Sequence, residues 1–232
     1  RYEAWACRSV DAVTAVSDQD AAALRRLVPN LDVTVVPNGV DVAAYTLFQP
    51  AAPILPPHSL LFTGTMDFRP NVDAVLWFAD QVFGRIRSRV PDAQFYVVGQ
   101  RPHRRLDALK ERPGIAITGS VPDTLPYFAS ADVYVIPLQS GGGTRLKVLE
   151  AMAMKKPIVS TTMGCDGFGL TSGQEALLAN DPAQFAQAVI SLLNDPSRCK
   201  KLGEAGFEFA KQYDWTNIVP RLESVYHLSG CA

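Results

Sequence analysis

From Leu60 to Leu193 the chain alternates short, nearly uninterrupted apolar runs, such as VYVIP and PIVS, with longer amphipathic stretches. Strands alternating with helices of about ten or more residues predict a parallel sheet. Runs apolar at nearly every position predict strands covered on both faces. The expected class is therefore α/β, a parallel sheet covered by helices on both sides. Strands are predicted at Leu60–Thr63, Gln94–Val98, Ile115–Thr118, Asp132–Pro137, Pro157–Ser160 and Ala176–Ala179. Helices are predicted at Asn71–Arg87, Pro102–Glu111, Leu125–Ala129, Arg145–Met154 and Pro182–Leu193, then Ser197–Gln212 and Trp215–Leu228.

Upstream lies less. Asp11–Val16 and Val33–Val36 read as strands, and Asp18–Val28 as a helix capped by Ser17. Pro37-Asn38-Gly39 is turn chemistry. Residues 1–48 are too little to bury a sheet, and read as the remnant of a further domain. Gln49–Pro57 carries four prolines in nine residues and reads as a linker. The main domain is expected over residues 58–211, with a C-terminal helix over 212–232.

Charge and composition remove several classes. With 22 Lys+Arg against 23 Asp+Glu, the chain is no polycation built for nucleic acid. No apolar run reaches the roughly 18–20 residues that span a bilayer, and Asp11, Asp18 and Asp20 break any leader-peptide pattern near the start. Cys7, Cys165, Cys199 and Cys231 form no CxxC pair and no zinc spacing. They read as free thiols of a reducing cytoplasm. His58, His103 and His227 have no partner pattern and read as surface residues. Between Arg85 and Arg112 there are eight basic residues against three acids. That run is either a solvated helix face or a patch for anionic lipid, as in a peripheral membrane contact, or for nucleic acid, which the lack of an aromatic ladder disfavours.

In open α/β sheets, ligands bind beyond the carboxyl ends of the strands. The most informative loop there is Leu138–Glu150, LQSGGGTRLKVLE. Gly141, Gly142 and Gly143 follow a buried strand and precede a helix, so backbone amides can turn inward and approach a ligand. Acids are favoured in a first helical turn, yet this one holds Arg145 and Lys147. Each base should cost about 0.3–1 kcal/mol against the helix dipole, unless an anion binds there. The alternatives are an anion site and a glycine turn flanked by two solvated bases. Glu150 sits in the otherwise apolar VLEAMAM. A ligand hydroxyl pair would satisfy it, and so would an i,i+3 ion pair with Lys147. GxGxxG, GxxxxGK[ST] and GxSxG are absent.

VTVVPNGVD (Val33–Asp41), LLFTGTMDFRPNVDAV (Leu60–Val75), FYVVG (Phe95–Gly99), ITGSVPD (Ile117–Asp123), ADVYVIP (Ala131–Pro137), GGGTRLKVLEAMAMKKPIVST (Gly141–Thr161) and YDW (Tyr213–Trp215) resemble the retaining glycosyltransferases of family four, across nearly the whole chain. The resemblance implies the GT-B fold, two Rossmann-like domains facing a cleft, with this chain as the donor-binding half. It implies a nucleotide diphosphate sugar as donor, held without a metal or other cofactor. It also implies a glycan or lipid-linked acceptor and an N-terminal acceptor domain mostly missing here. In that family Glu150 would bind the ribose hydroxyls. Gly141, Gly142, Gly143, Thr144 and the helix start, with Arg145, Lys147 and Arg69 as neighbours, would hold the diphosphate. Ser120 and Val121 would meet the base, and Gly64, Asn71 and Leu149 complete the implied set. The chain departs from the pattern at Gly142, where the family carries its first acid, and at Thr65 and Asn71, where it carries Arg and Lys. A cytoplasmic enzyme of polysaccharide biosynthesis is expected. A non-catalytic nucleotide-sugar binding module and a nucleotide-sugar epimerase of the same architecture are the alternatives.

Overall fold

A computed structural model of the chain describes residues 1–228. Eight strands fall into two parallel sheets. The smaller pairs β1 (Thr14–Ala15) with β2 (Thr34–Val35). The larger contains β3 (Ser59–Thr63), β4 (Gln94–Val98), β5 (Ile115–Gly119), β6 (Val133–Ile136), β7 (Ile158–Ser160) and β8 (Leu177–Leu178). Its spatial order is β5-β4-β3-β6-β7-β8, every pair parallel. Counted within this sheet, that is the doubly wound order 3-2-1-4-5-6, whose direction reverses between β3 and β6.

Helices follow the strands. They are α1 (Tyr2–Arg8), α2 (Asp18–Leu27), α3 (Val42–Thr46), α4 (Arg69–Trp77), α5 (Gly84–Arg87), α6 (Asp107–Lys110), α7 (Leu125–Ser130), α8 (Leu146–Ala153), α9 (Pro182–Leu193), α10 (Pro196–Ala210) and α11 (Trp215–Leu228). Their starts are chemically marked. Ser17 Oγ accepts from the Asp20 amide, and Asp181 accepts from Ala183 and Gln184 with Pro182 as the first helical residue.

Every residue of β3 and β6 is buried, as doubly covered strands require. Leu60, Leu61 and Phe62 meet Phe78, Phe95 and Phe185 in the main core. The Phe78 and Phe95 rings lie 4.5 Å apart. Ala15, Ala21 and Val33 form a separate small core under the two-stranded sheet.

The helix expected at Asn71–Arg87 begins earlier, at Arg69, and is not uniform. A π-helical stretch, Phe78–Phe83, joins α4 to α5. The wide turn puts Phe78 and Phe83, five residues apart, on the buried side together, at 0 % and 2 % exposure. The expected Pro102–Glu111 helix is a 3₁₀ turn, Arg104–Leu106, followed by the short α6. The strand expected over Asp11–Val16 shrinks to two residues because its partner offers only Thr34–Val35.

Half of the basic run from Arg85 to Arg112 is matched by acids. Arg105 pairs with Asp73 at 2.6 Å, Arg112 with Asp80 at 2.8 Å, Lys110 with Asp107 at 2.6 Å and Arg101 with Asp67 at 3.3 Å. Cys7, Cys165 and Cys199 are free thiols, and the last helix has the predicted bounds Trp215–Leu228, whereas Cys231 and residues 229–232 of the segment expected over 212–232 lie outside the described residues. No helix among the described residues is long and apolar enough to cross a membrane.

Two glycines test the packing in opposite directions. Gly99 ends β4 with φ +155°, and a Cβ there would stand 1.7 Å from the Gly64 carbonyl oxygen. Gly99→Ala should therefore lower stability by about 3 kcal/mol or more, since backbone must move. Gly84 is helical, and a Cβ there would meet nothing within 4 Å. Gly84→Ala should raise stability by about 0.5–1 kcal/mol. Urea unfolding midpoints of the two variants would read both signs.

Candidate functional site

The carboxyl ends of β3, β4, β5 and β6 open on two adjoining clefts. The first, about 330 Å³, is lined by Thr63, Gly64, Thr65, Val98, Gly99, Gln100, Ser120, Val121, Thr124 and Glu150. The second, about 350 Å³, reaches from Gly64, Phe68 and Asn71 across to Leu138, Thr144, Arg145 and Lys147, and also touches Glu150. Glu150 and the Thr63–Thr65 turn are common to both. The clefts lie where the sheet order reverses, the position ligands take in this architecture.

The first wall is backbone. Gly64 (φ +156°) and Gly99 (φ +155°) end neighbouring strands, and their main chains nearly touch. The facing wall is α8, separated from the triple-glycine loop only by Thr144 and Arg145. Arg145 is its N-cap, in extended conformation and without a side-chain cap bond. Its guanidinium folds back over the loop, and Nη1 donates to the Gly142 carbonyl. Arg145 Nε and Nη2 are buried and have no hydrogen-bond partner. Burial holds this guanidinium below its ordinary pKa, while the Asp166 carboxylate pulls it back up. A buried guanidinium N–H without a partner is costly, and an anion would satisfy it.

Lys147 is neither a solvated base nor the ion-pair partner of Glu150. Its ammonium donates to the Thr63 carbonyl at 2.6 Å and to Asn71 Oδ1 at 3.1 Å. It also stands 4.2 Å from the centre of the Phe62 ring. Burial pulls its pKa down to about 7, against the opposing pull of Glu150. Asn71 thus holds Lys147 with its oxygen while its amide nitrogen donates to the Thr65 carbonyl at 3.0 Å.

Glu150 is half-buried, with its pKa raised above the usual carboxylate value by desolvation. The Tyr45 hydroxyl and Lys147 oppose that rise. Tyr45 comes from α3, which packs on α8. Its own pKa is raised, first by burial and then by the Glu150 charge.

The structure thus gathers Gly64, Asn71, Ser120, Val121, Thr144, Arg145, Lys147 and Glu150 around the two clefts. Gly141, Gly142 and Gly143 form the exposed loop at their rim, and a Cβ on Gly142 would meet nothing within 4 Å. Two expected residues are elsewhere. Arg69 is 87 % exposed and pairs with Asp73 at 3.4 Å, because the start of α4 turns it outward. Leu149 is fully buried in the core, on the face of α8 turned to the sheet. Gly99, Gln100, Thr124 and Tyr45 were not anticipated. The strand-end rule points to the first two, whereas no local signal marks Tyr45.

The chain is similar to known glycosyltransferases in sequence and fold. Residues 57–195 match the family model "Glycosyl transferases group 1", and residues 1–44 match "Glycosyltransferase Family 4". The phosphatidyl-myo-inositol mannosyltransferase of Mycolicibacterium smegmatis is 28 % identical over 209 residues, which is 84 % of this chain and 52 % of the relative. The chain spans about half the length of the curated relatives it matches. Sucrose-phosphate synthase from Thermosynechococcus elongatus superposes with a TM-score of 0.74 at 24 % identity, over 94 % of this chain and 58 % of that one. The pneumococcal O-GlcNAc transferase, solved with UDP and GlcNAc, superposes with a TM-score of 0.76 at 15 % identity, over 98 % of this chain and 47 % of that one. The six-stranded sheet and its helices have the fold of one Rossmann-like half of a GT-B glycosyltransferase. Because the group 1 model covers more than half of its residues, the chain belongs to the glycosyl transferases group 1 family.

Proposed function

We propose that this chain is the donor-binding half of a retaining glycosyltransferase. It would move a sugar from a nucleotide diphosphate to a glycan or lipid-linked acceptor without a metal ion, the acceptor site lying with an N-terminal domain. The observation that carries the reading is the Arg145 guanidinium, with two nitrogens buried and unpartnered at the start of α8, between Lys147 and the glycine loop.

The base would lie against Ser120 and Val121, and the ribose hydroxyls on Glu150. The diphosphate would sit between the Gly64 turn and the start of α8. As the bond to the sugar breaks, negative charge grows on the leaving diphosphate. Arg145, Lys147 and the free amides of the helix start are fixed there in advance, so they stabilise that charge without reorganising. Among the described residues, Glu150 is the only carboxylate lining the clefts, and ribose binding would occupy it. The work of this half is therefore positioning and leaving-group stabilisation rather than nucleophilic attack.

UDP-sugars are the first donors to try, since the pneumococcal transferase of the same fold is solved with UDP. In a thermal-shift panel of UDP-, GDP- and ADP-sugars, one at about 100 times its dissociation constant should add roughly 2.7 kcal/mol, or about 5–10 °C. Arg145→Ala should weaken that ligand about tenfold, with Arg145→Lys intermediate. A flat response to the whole panel would defeat the proposal.

A further inference from the structure

Thr144, which lines the second cleft, is held by a residue from outside the six-stranded sheet. The Pro37-Asn38-Gly39 turn is pinned from behind: a Cβ on Gly39 would stand 2.7 Å from the Trp215 indole. The next residue is clamped as well, with the Val40 amide donating to the Tyr213 carbonyl at 2.8 Å and the Trp215 amide to the Val40 carbonyl at 3.2 Å. From this anchored turn Asn38 Nδ2 donates to Thr144 Oγ1 at 2.8 Å. On its other side the Thr144 methyl rests on Gly167, where an added Cβ would come within 3.0 Å of it. Both branches of the Thr144 side chain are therefore held.

A hydroxyl has one proton to give and two lone pairs to fill. Thr144 Oγ1 already accepts from Asn38, and among the described residues its proton goes to no acceptor. Thr144 lines the cleft with Gly64, Asn71, Arg145 and Lys147, so the chemistry suited to that proton is an anionic oxygen.

We infer that Asn38 is a positioning residue for the donor: by filling the acceptor side of Thr144 Oγ1, it aims that hydroxyl as a hydrogen-bond donor at the diphosphate. The inference rests on the donor-binding reading above. It makes the N-terminal segment part of the phosphate site although none of its atoms touches phosphate.

The test uses the full chain and whichever of UDP, GDP or ADP binds the wild type, alongside the matching nucleoside. Thr144→Val should weaken the diphosphate about tenfold, the worth of one hydrogen bond to a charged group. Asn38→Ala should weaken it about three- to tenfold and leave nucleoside affinity within about twofold, which also reports that the variant is folded. The Asn38→Ala, Thr144→Val double variant should bind no worse than Thr144→Val alone. Asn38→Asp should be poorer than Asn38→Ala, because a carboxylate would accept the Thr144 proton and turn it from the cleft. Equal losses for nucleoside and diphosphate, additive losses in the double variant, or no loss in Asn38→Ala would each overturn the role of Asn38 and leave the donor reading standing. Failure of the wild type to bind any of the three diphosphates would remove that reading, and Asn38's role with it.

Discussion

Glu150→Ala is expected to cost at least about a hundredfold in nucleotide affinity. A carboxylate that accepts from two ribose hydroxyls makes two charge-assisted hydrogen bonds, each worth about 1.5–3 kcal/mol. The same change withdraws the negative charge that now favours the Lys147 ammonium, so the diphosphate side of the cleft weakens too. Glu150→Gln keeps the shape and one acceptor, and should retain more affinity than alanine. The carboxylate carries a raised pKa through desolvation, so the protein spends stability to keep it charged. Glu150→Gln should therefore unfold at the same temperature as the wild type or higher while binding less. Affinity should also fall on the acid side, starting at a higher pH than an ordinary Glu would give. Calorimetric titration of both variants checks the effect, and unchanged affinity in Glu150→Ala would end the ribose assignment.

The second large effect is a proton. Lys147 has its pKa pulled down to about 7 by burial. A diphosphate arriving in the same cleft favours the charged ammonium and raises that pKa. At pH 8, binding should therefore take up close to one proton per site, and near pH 5.5 almost none from this group. Calorimetric enthalpies in buffers of different ionisation enthalpy would show a slope at pH 8 that Lys147→Met abolishes. Stability follows the same group. The unfolded lysine keeps its proton up to about 10.5, whereas the folded one releases it near 7. The unfolded state thus binds more protons between those values, and this group makes stability rise with pH through that window, by about 1.4 kcal/mol per unit at most. A pH-independent binding enthalpy slope would place the lysine outside the phosphate site.

Much of this was legible in the residues alone, for local reasons. Gln94–Val98 and Pro182–Leu193 have the bounds read from their apolar runs and from the Asp181-Pro182 start. The wall of the site at Arg145 and Glu150 was legible because basic residues in a first helical turn, and an acid in an apolar helix, each contradict local preference. What escaped depends on distant partners. Lys147 is defined by Thr63, Phe62 and Asn71, more than seventy residues upstream. Tyr45 reaches Glu150 only because α3 packs on α8. Arg69 looked like a cleft residue by its place in the loop, but a shift of two residues in the helix start turned it to solvent.

The crimp between Gly64 and Gly99 has a consequence for anyone wishing to retune the protein. The floor of the first cleft is main chain at this point, with no room for a side-chain carbon on Gly99. Such a floor has no alphabet to vary, so under the proposed donor reading a change in base preference would be written on side chains around it, Ser120, Val121 and Thr124 among them. A library confined to those positions would explore recognition while the scaffold stays whole.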